Sequence, residues 1–164
     1  GLFTLWMYPY AKKIYSVEPS AMHCETLRKM LEFNKMDNVE VIQKALADKD
    51  GEMKFYHNTN TTMFMLEKTV QGNTEAETVQ TATIGTLLKD IPHIDLLKID
   101  IEGAEGTVFA NSSFDAVAPK IDNIILEYHA WSGVGVTLLM NTIRDRGFSV
   151  EQLQTTATVL WFKK

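Results

Sequence analysis

The run "IDLLKIDIEGAEG", Ile94–Gly106, carries an apolar strand pattern straight into three carboxylates, Asp100, Glu102 and Glu105, punctuated by Gly103 and Gly106. A short apolar run bounded by charged residues reads as a buried strand. An acid at the end of a core strand is costly unless something there uses it. The pattern recurs along the chain. "KIYSVEPS" (13–20) reaches Glu18, "VEVIQKALAD" (39–48) reaches Asp48, and "KIDNIILEYHA" (120–130) reaches Glu127 and His129.

Helical segments separate these strands. "LFTLWMY" (2–8) reads as a short helix closed by Pro9. Ser20 is placed to cap a helix in which Leu27, Met30, Leu31 and Asn34 share one side. "DKDG" (48–51) is a turn, and "EMKFYHN" (52–58) alternates like an exposed strand. Residues 59–77 are polar and threonine-rich and read as a mobile loop. "ETVQTATIGTLLKD" (77–90) reads as a strand and a short helix, and "GAEGTVFANSS" (103–113) starts another helix. "VTLLMNTIRDRG" (136–147) is amphipathic with a glycine stop, and "FSVEQLQ" with "TATVLWFKK" pairs as a C-terminal hairpin.

Strands alternating with helices imply an α/β fold with a mainly parallel sheet. Ligands of such sheets bind beyond the carboxyl ends of the strands. Glu18, Asp48, Asp100, Glu102, Glu127 and His129 all fall there, and as a set they describe a binding crevice. Each taken alone is equally a helix cap or a solvated loop residue.

The chain of 164 residues is the size of one domain, and its net charge of −5 argues against a nucleic-acid backbone or an anionic membrane as partner. Cys24 is the single cysteine, so neither an internal disulfide nor a cysteine metal cluster forms; its helical setting suits a small buried residue. No apolar run is long enough to span a membrane, and no signal peptide is visible, which reads as a cytoplasmic protein. The first residue is Gly1 rather than methionine, so the chain reads as starting inside a longer gene product.

Three stretches in this order, "IYSVEPS" (14–20), "ALADKDGEMKFY" (45–56) and "IDLLKIDIEGAEGTVF" (94–109), resemble the FkbM family of S-adenosylmethionine-dependent methyltransferases, and "IILEYH" (124–129) adds to the likeness. The "KIDIEGAE" element is its most specific part. The resemblance covers almost the whole chain. It implies one domain over residues 1–164 with the class I, Rossmann-like methyltransferase fold, a three-layer sandwich whose mainly parallel sheet ends in an antiparallel hairpin. Members usually open with a strand and an Asp-x-Gly-Ala-Asn-x-Gly loop followed by "LFT". By that likeness Gly1 is the last glycine of the cofactor loop, and the first strand and the rest of the loop are missing. A cofactor would then lose a wall at its methionine end, and the exposed central strand edges would favour self-association.

The resemblance implies cofactor-binding roles for Gly1, Glu18, Asp48, Asp100 and Glu102. A carboxylate at Glu18 can accept both ribose hydroxyls; otherwise it is a turn acid before Pro19. Asp48 would lie beside the adenine, or it starts the "ADKDG" turn. Asp100 and Glu102, two apart, are expected on the same side of the strand end. Asp100 would meet the cationic end of the cofactor or the substrate. Glu105 reads as a first-turn acid favouring its helix dipole. His129, with an ordinary pKa near 6.5, is the candidate catalytic base, with Asp100 as the second catalytic candidate. Lys98 is expected to pair with a nearby acid such as Glu127. Asp100, Glu102, Glu127 and His129 would also suit a hard divalent ion, but a metal is not favoured, because the same residues already have other uses. Trp131 with "SGVGV" (132–136) reads as a substrate lid. His23, His57 and His93 receive no role.

The implied activity is methyl transfer from S-adenosylmethionine to an oxygen of a small-molecule or sugar acceptor. Two alternatives stand beside it: a methyltransferase-like domain that has lost its cofactor, and a domain for another adenosine-containing ligand such as a dinucleotide.

Overall fold

In the computed structural model, residues 1–58, 64–65, 74–130, 133–152 and 159–164 are described. Leu2–Met7 forms helix α1, followed by a 3-10 turn over Tyr8–Tyr10 that carries Pro9 in its first turn. Strand β1 (Ile14–Val17) leads into α2 (Ala21–Phe33), then β2 (Val39–Ile42), β3 (Ala45–Leu46), β4 (Gly51–Asn58), β5 (Phe64–Met65) and β6 (Thr74–Ala82). Helix α3 (Ile84–Leu88) precedes β7 (Ile94–Ile99), α4 (Glu105–Ala110) and α5 (Ser113–Val117). Strand β8 (Ile121–Glu127), helix α6 (Val136–Arg144) and strands β9 (Ser149–Gln152) and β10 (Val159–Lys163) complete the chain.

The fold is α/β, as the alternation of elements requires, and its sheets are mixed. Strands β1 and β2 pair in parallel. Strands β7 and β8 pair in parallel, and β10 and β9 extend that sheet antiparallel in the order β7-β8-β10-β9. The C-terminal hairpin therefore forms as read from the sequence. A third sheet has the order β3-β6-β4-β5, in which only β3 and β6 run parallel.

Two segments depart from the sequence reading. "VEVIQKALAD" is not one strand: the Lys44 N–H turns back to the Ile42 carbonyl, and β2 and β3 join different sheets. The break falls at the polar pair Gln43-Lys44, where the apolar alternation lapses. Part of the threonine-rich segment read as a loop is strand. Phe64–Met65 and Thr74–Glu77 pair with β4, whose long edge supplies backbone partners that local composition does not reveal.

The main core lies around the β7-β8-β10-β9 sheet. Phe109, Phe114, Ile121, Ile124, Leu126, Ile143 and Phe162 are fully buried in it. Strand β8 alternates buried Ile124 and Leu126 with partly exposed neighbours, so its end is rigidly placed. Ser20 caps α2 by accepting from the His23 N–H at 3.4 Å, and Cys24, Leu27 and Leu31 form that helix's buried face. The Cys24 thiol is fully buried and donates to the Glu18 carbonyl at 3.2 Å; burial pushes its pKa up, so it behaves as a structural residue.

Helix α1 bridges two strands that do not pair with each other. The hydroxyl of Thr4 lies 3.3 Å from that of Ser16 on β1, and Phe3 places its ring under Lys98 of β7, 5.7 Å from the ammonium. Its Leu2 and Trp6 stay exposed beside a shallow groove of about 450 Å³ that Phe3 and Leu5 also line. No helix among the described residues is long and apolar enough to cross a membrane.

Candidate active site

Strand β7 ends at Ile99, and the chain leaves it through a tight turn. Glu102 takes a left-handed backbone, φ 51°, and Gly103 follows at φ 101°. Glycine adopts that region freely, whereas for Glu102 it is strained, a cost of roughly 1–3 kcal/mol. The turn, not strand alternation, aims the Glu102 side chain. Ligand atoms of Asp100, Glu102 and His129 all lie within 4.8 Å of one another.

His129 reaches this point from the end of β8. Its Nδ1 is 2.8 Å from Glu105 Oε1, and its Nε2 is 3.4 Å from Glu102 Oε2. The ring is only 12% exposed and the Glu105 carboxylate is fully buried. Glu105 Oε1 also accepts the Gly103 N–H at 3.1 Å, whereas Oε2 finds no partner among the described groups. Taking a carboxylate out of water costs several kcal/mol, far more than the 0.3–1 kcal/mol that a first-turn acid gains from a helix dipole. Pairing with the imidazole supplies the larger compensation. Glu105 thus sits in the first turn of α4, as read from the sequence, and is a residue of the site as well. The signal was present in the sequence: Glu105, Val108 and Phe109 stand at i, i+3 and i+4, the spacing of one helix face, and all three are buried.

Burial raises the pKa of Glu102, the nearby His129 lowers it, and Asp100, Glu127 and Glu105 raise it further. Lys98 pairs with Asp100, Nζ to Oδ2 at 3.0 Å, and not with Glu127. Lys98 is on β7 and Asp100 lies just past its end, so the pair ties the turn back to the strand.

The second glycine of "GAEG" has a packing cause. A Cβ at Gly106 would lie 2.4 Å from Val134 Cγ2. The backbone of α4 therefore meets the 133–135 segment with no room for a side chain, while Tyr128 donates its hydroxyl to the Val134 carbonyl at 2.8 Å. These contacts hold the chain on both sides of His129. Trp131 and Ser132, the start of the expected lid, lie outside the described residues.

The expected cofactor residues divide. Glu18 lies at the carboxyl end of β1, with Oε1 accepting the Ser20 N–H at 2.9 Å and His23 Nδ1 3.5 Å away. Thr4 and Phe3 of α1 touch Ser16 and Lys98, each two residues before Glu18 and Asp100 respectively. The first turn of α1 thus lies between the ends of β1 and β7. Gly1 precedes that turn, and a Cβ on it would meet Leu27 and Met30 of α2 at ordinary contact distances, so no lack of space requires glycine there. Asp48 is exposed after β3, and its carbonyl accepts from Asn111 at 2.6 Å. The structurally engaged acid of "ADKDG" is Asp50, which accepts from the Thr83 N–H and the Thr86 hydroxyl, each at 2.7 Å, at the start of α3.

The model of the methyltransferase FkbM domain matches residues 2–150. The chain belongs to the FkbM methyltransferase domain family. "Methyltransferase 1" of Beauveria bassiana (strain ARSEF 2860) is 26% identical over 174 residues, covering 92% of this chain and 69% of that protein. The crystal structure of methyltransferase FkbM from Methylobacillus flagellatus KT superposes over 93% of this chain with a TM-score of 0.60 and 13% identity. This FkbM domain spans 36% of the length of that solved chain, and at such identity the likeness concerns the fold. Strand β7, α4 and the end of β8, which build the His129 cluster, all fall inside the matched region.

Proposed function

We propose that this FkbM domain transfers a methyl group from S-adenosylmethionine to a hydroxyl oxygen of a small-molecule or sugar acceptor. The observation that carries the proposal is His129, held between Glu105 and Glu102 beside Asp100 at the ends of β7 and β8. Family membership supports methyl transfer in general, and S-adenosylmethionine is the family's usual cofactor.

The residues present fit such a cofactor. Its sulfonium and ammonium are cationic, and the acids Asp100, Glu102 and Glu127 cluster near the strand ends. Glu18, oriented by the Ser20 N–H, would hold the ribose. When bound, S-adenosylmethionine supplies an electrophilic methyl group on a cationic sulfur. Direct displacement needs the acceptor oxygen in line with that carbon and its proton removed. His129 Nε2 is the group we assign to take the proton. Asp100, anchored by Lys98, and Glu102 line the same space and orient the hydroxyl.

The first experiment is a calorimetric titration with S-adenosylhomocysteine. The expected dissociation constant is micromolar, roughly −8 kcal/mol, weakened at least tenfold in Glu18→Ala. Tighter binding of a nicotinamide dinucleotide would instead support the dinucleotide alternative. No heat with either ligand, from folded protein, would support a domain without cofactor binding. Methyl transfer is then followed with isotope-labelled S-adenosylmethionine against a panel of hydroxyl acceptors, with His129→Gln expected to abolish it.

A further inference from the structure

We propose that Glu105 is the positioning residue of His129, fixing which ring nitrogen carries the proton and which faces the reacting space. The catalytic value of this role rests on His129 being the base; the pairing itself does not. Glu105 is the first residue of α4, is fully buried, and meets Nδ1 at 2.8 Å. Glu105 Oε1 already accepts the Gly103 N–H, and with the same oxygen as acceptor toward the ring the hydrogen in this bond belongs to Nδ1. In the neutral ring that leaves the lone pair on Nε2, the nitrogen directed toward Glu102 and Asp100. When Nε2 gains a proton from a hydroxyl, the ring becomes a cation whose charge lies against the buried carboxylate. No atom moves to provide that stabilisation, which is the useful property of a preorganised group.

The surroundings agree with this assignment. Glu105 Oε1 is held from the other side by the Gly103 N–H, so the carboxylate cannot turn away without breaking two bonds. The ring is packed at 12% exposure. Glu102 Oε2 stands 3.4 Å from Nε2 and competes for the ring proton, but Glu105 at 2.8 Å is the closer acceptor; Asp100 and Glu127 add negative charge nearby, and Lys98 neutralises part of it through Asp100. Glu105 meets Nδ1, and Glu102 meets Nε2.

The test is the long-range proton–nitrogen NMR spectrum of the protein labelled with nitrogen-15 histidine, recorded where the rings are neutral. His129→Gln assigns the signal among the four histidines. Wild-type His129 is expected to carry its proton on Nδ1. Glu105→Leu, which fills the same buried space without an acceptor, is expected to shift the tautomer ratio toward Nε2 by roughly tenfold or more. Glu105→Gln, which keeps the shape, is expected to give a smaller shift in the same direction. A wild-type ring protonated on Nε2 would overturn the proposal, and that spectrum needs no variant to fold. An unchanged tautomer ratio in folded Glu105→Leu would overturn it too. Failure of the base reading shows separately, as undiminished methyl transfer by His129→Gln.

Discussion

Replacing Gly106 by alanine tests how the His129 segment is held. The added Cβ would sit 2.4 Å from Val134 Cγ2, 2.6 Å from its Cβ and 2.8 Å from its Cγ1. Carbon atoms rest at about 3.5–4.0 Å, so Val134 must retreat by roughly 1 Å. Its carbonyl is tied to the Tyr128 hydroxyl at 2.8 Å, so the retreat strains that bond or moves the segment. Overpacking of this kind costs about 1–3 kcal/mol. Alanine in place of glycine in a helix returns up to about 1 kcal/mol. The net destabilisation is then about 0–3 kcal/mol, and for a chain of this size each kcal/mol lowers Tm by about 2–4 °C. A double-mutant cycle isolates the contact. Val134→Gly removes all three clashing atoms, so Gly106→Ala made in that background should stabilise rather than destabilise. Thermal and urea unfolding of the four proteins should give a coupling energy of at least ~1 kcal/mol. A coupling near zero would refute the close approach of α4 to the 133–135 segment, and with it our account of why the motif ends in glycine.

Further outcomes follow from the same structure. Phe109→Ala should destabilise by about 3–5 kcal/mol, seen as a lower urea midpoint at unchanged slope, because its fully buried ring packs edge-on against Phe114 at 4.9 Å between centroids. Asp50 and Glu102 should give opposite pH dependences in urea titrations of Asp50→Asn and Glu102→Gln. The Thr83 N–H and Thr86 hydroxyl hold Asp50 below its usual value, so its contribution is complete above the ordinary carboxylate pKa near 4 and fades as pH falls through the lowered value. Burial raises Glu102, so its contribution is complete below about 4 and is lost as pH rises through the raised value; the advantage of Glu102→Gln over wild type should grow across that window and level off above the raised value. A constant difference across pH would contradict either assignment.

The alternation of apolar runs and helix signals determined the α/β class, the C-terminal hairpin and the placing of polar groups at strand ends. Those are local properties: period-two and period-3.6 patterns, caps and glycine stops act over a few residues. Tertiary structure decided which strands share a sheet. β2 and β3 separate although their sequence runs on, because parallel pairing joins residues as far apart as Ala45 and Thr81. The site divides along the same line. His129 and the acids after β7 were visible as strand-end residues, and the buried face containing Glu105, Val108 and Phe109 was visible as a spacing. That this face turns Glu105 toward His129, 24 residues away, follows only when β7 and β8 pair and α4 packs behind them. Likewise Gly103 answers to its own backbone angle, whereas Gly106 answers to Val134, a neighbour that exists only in three dimensions.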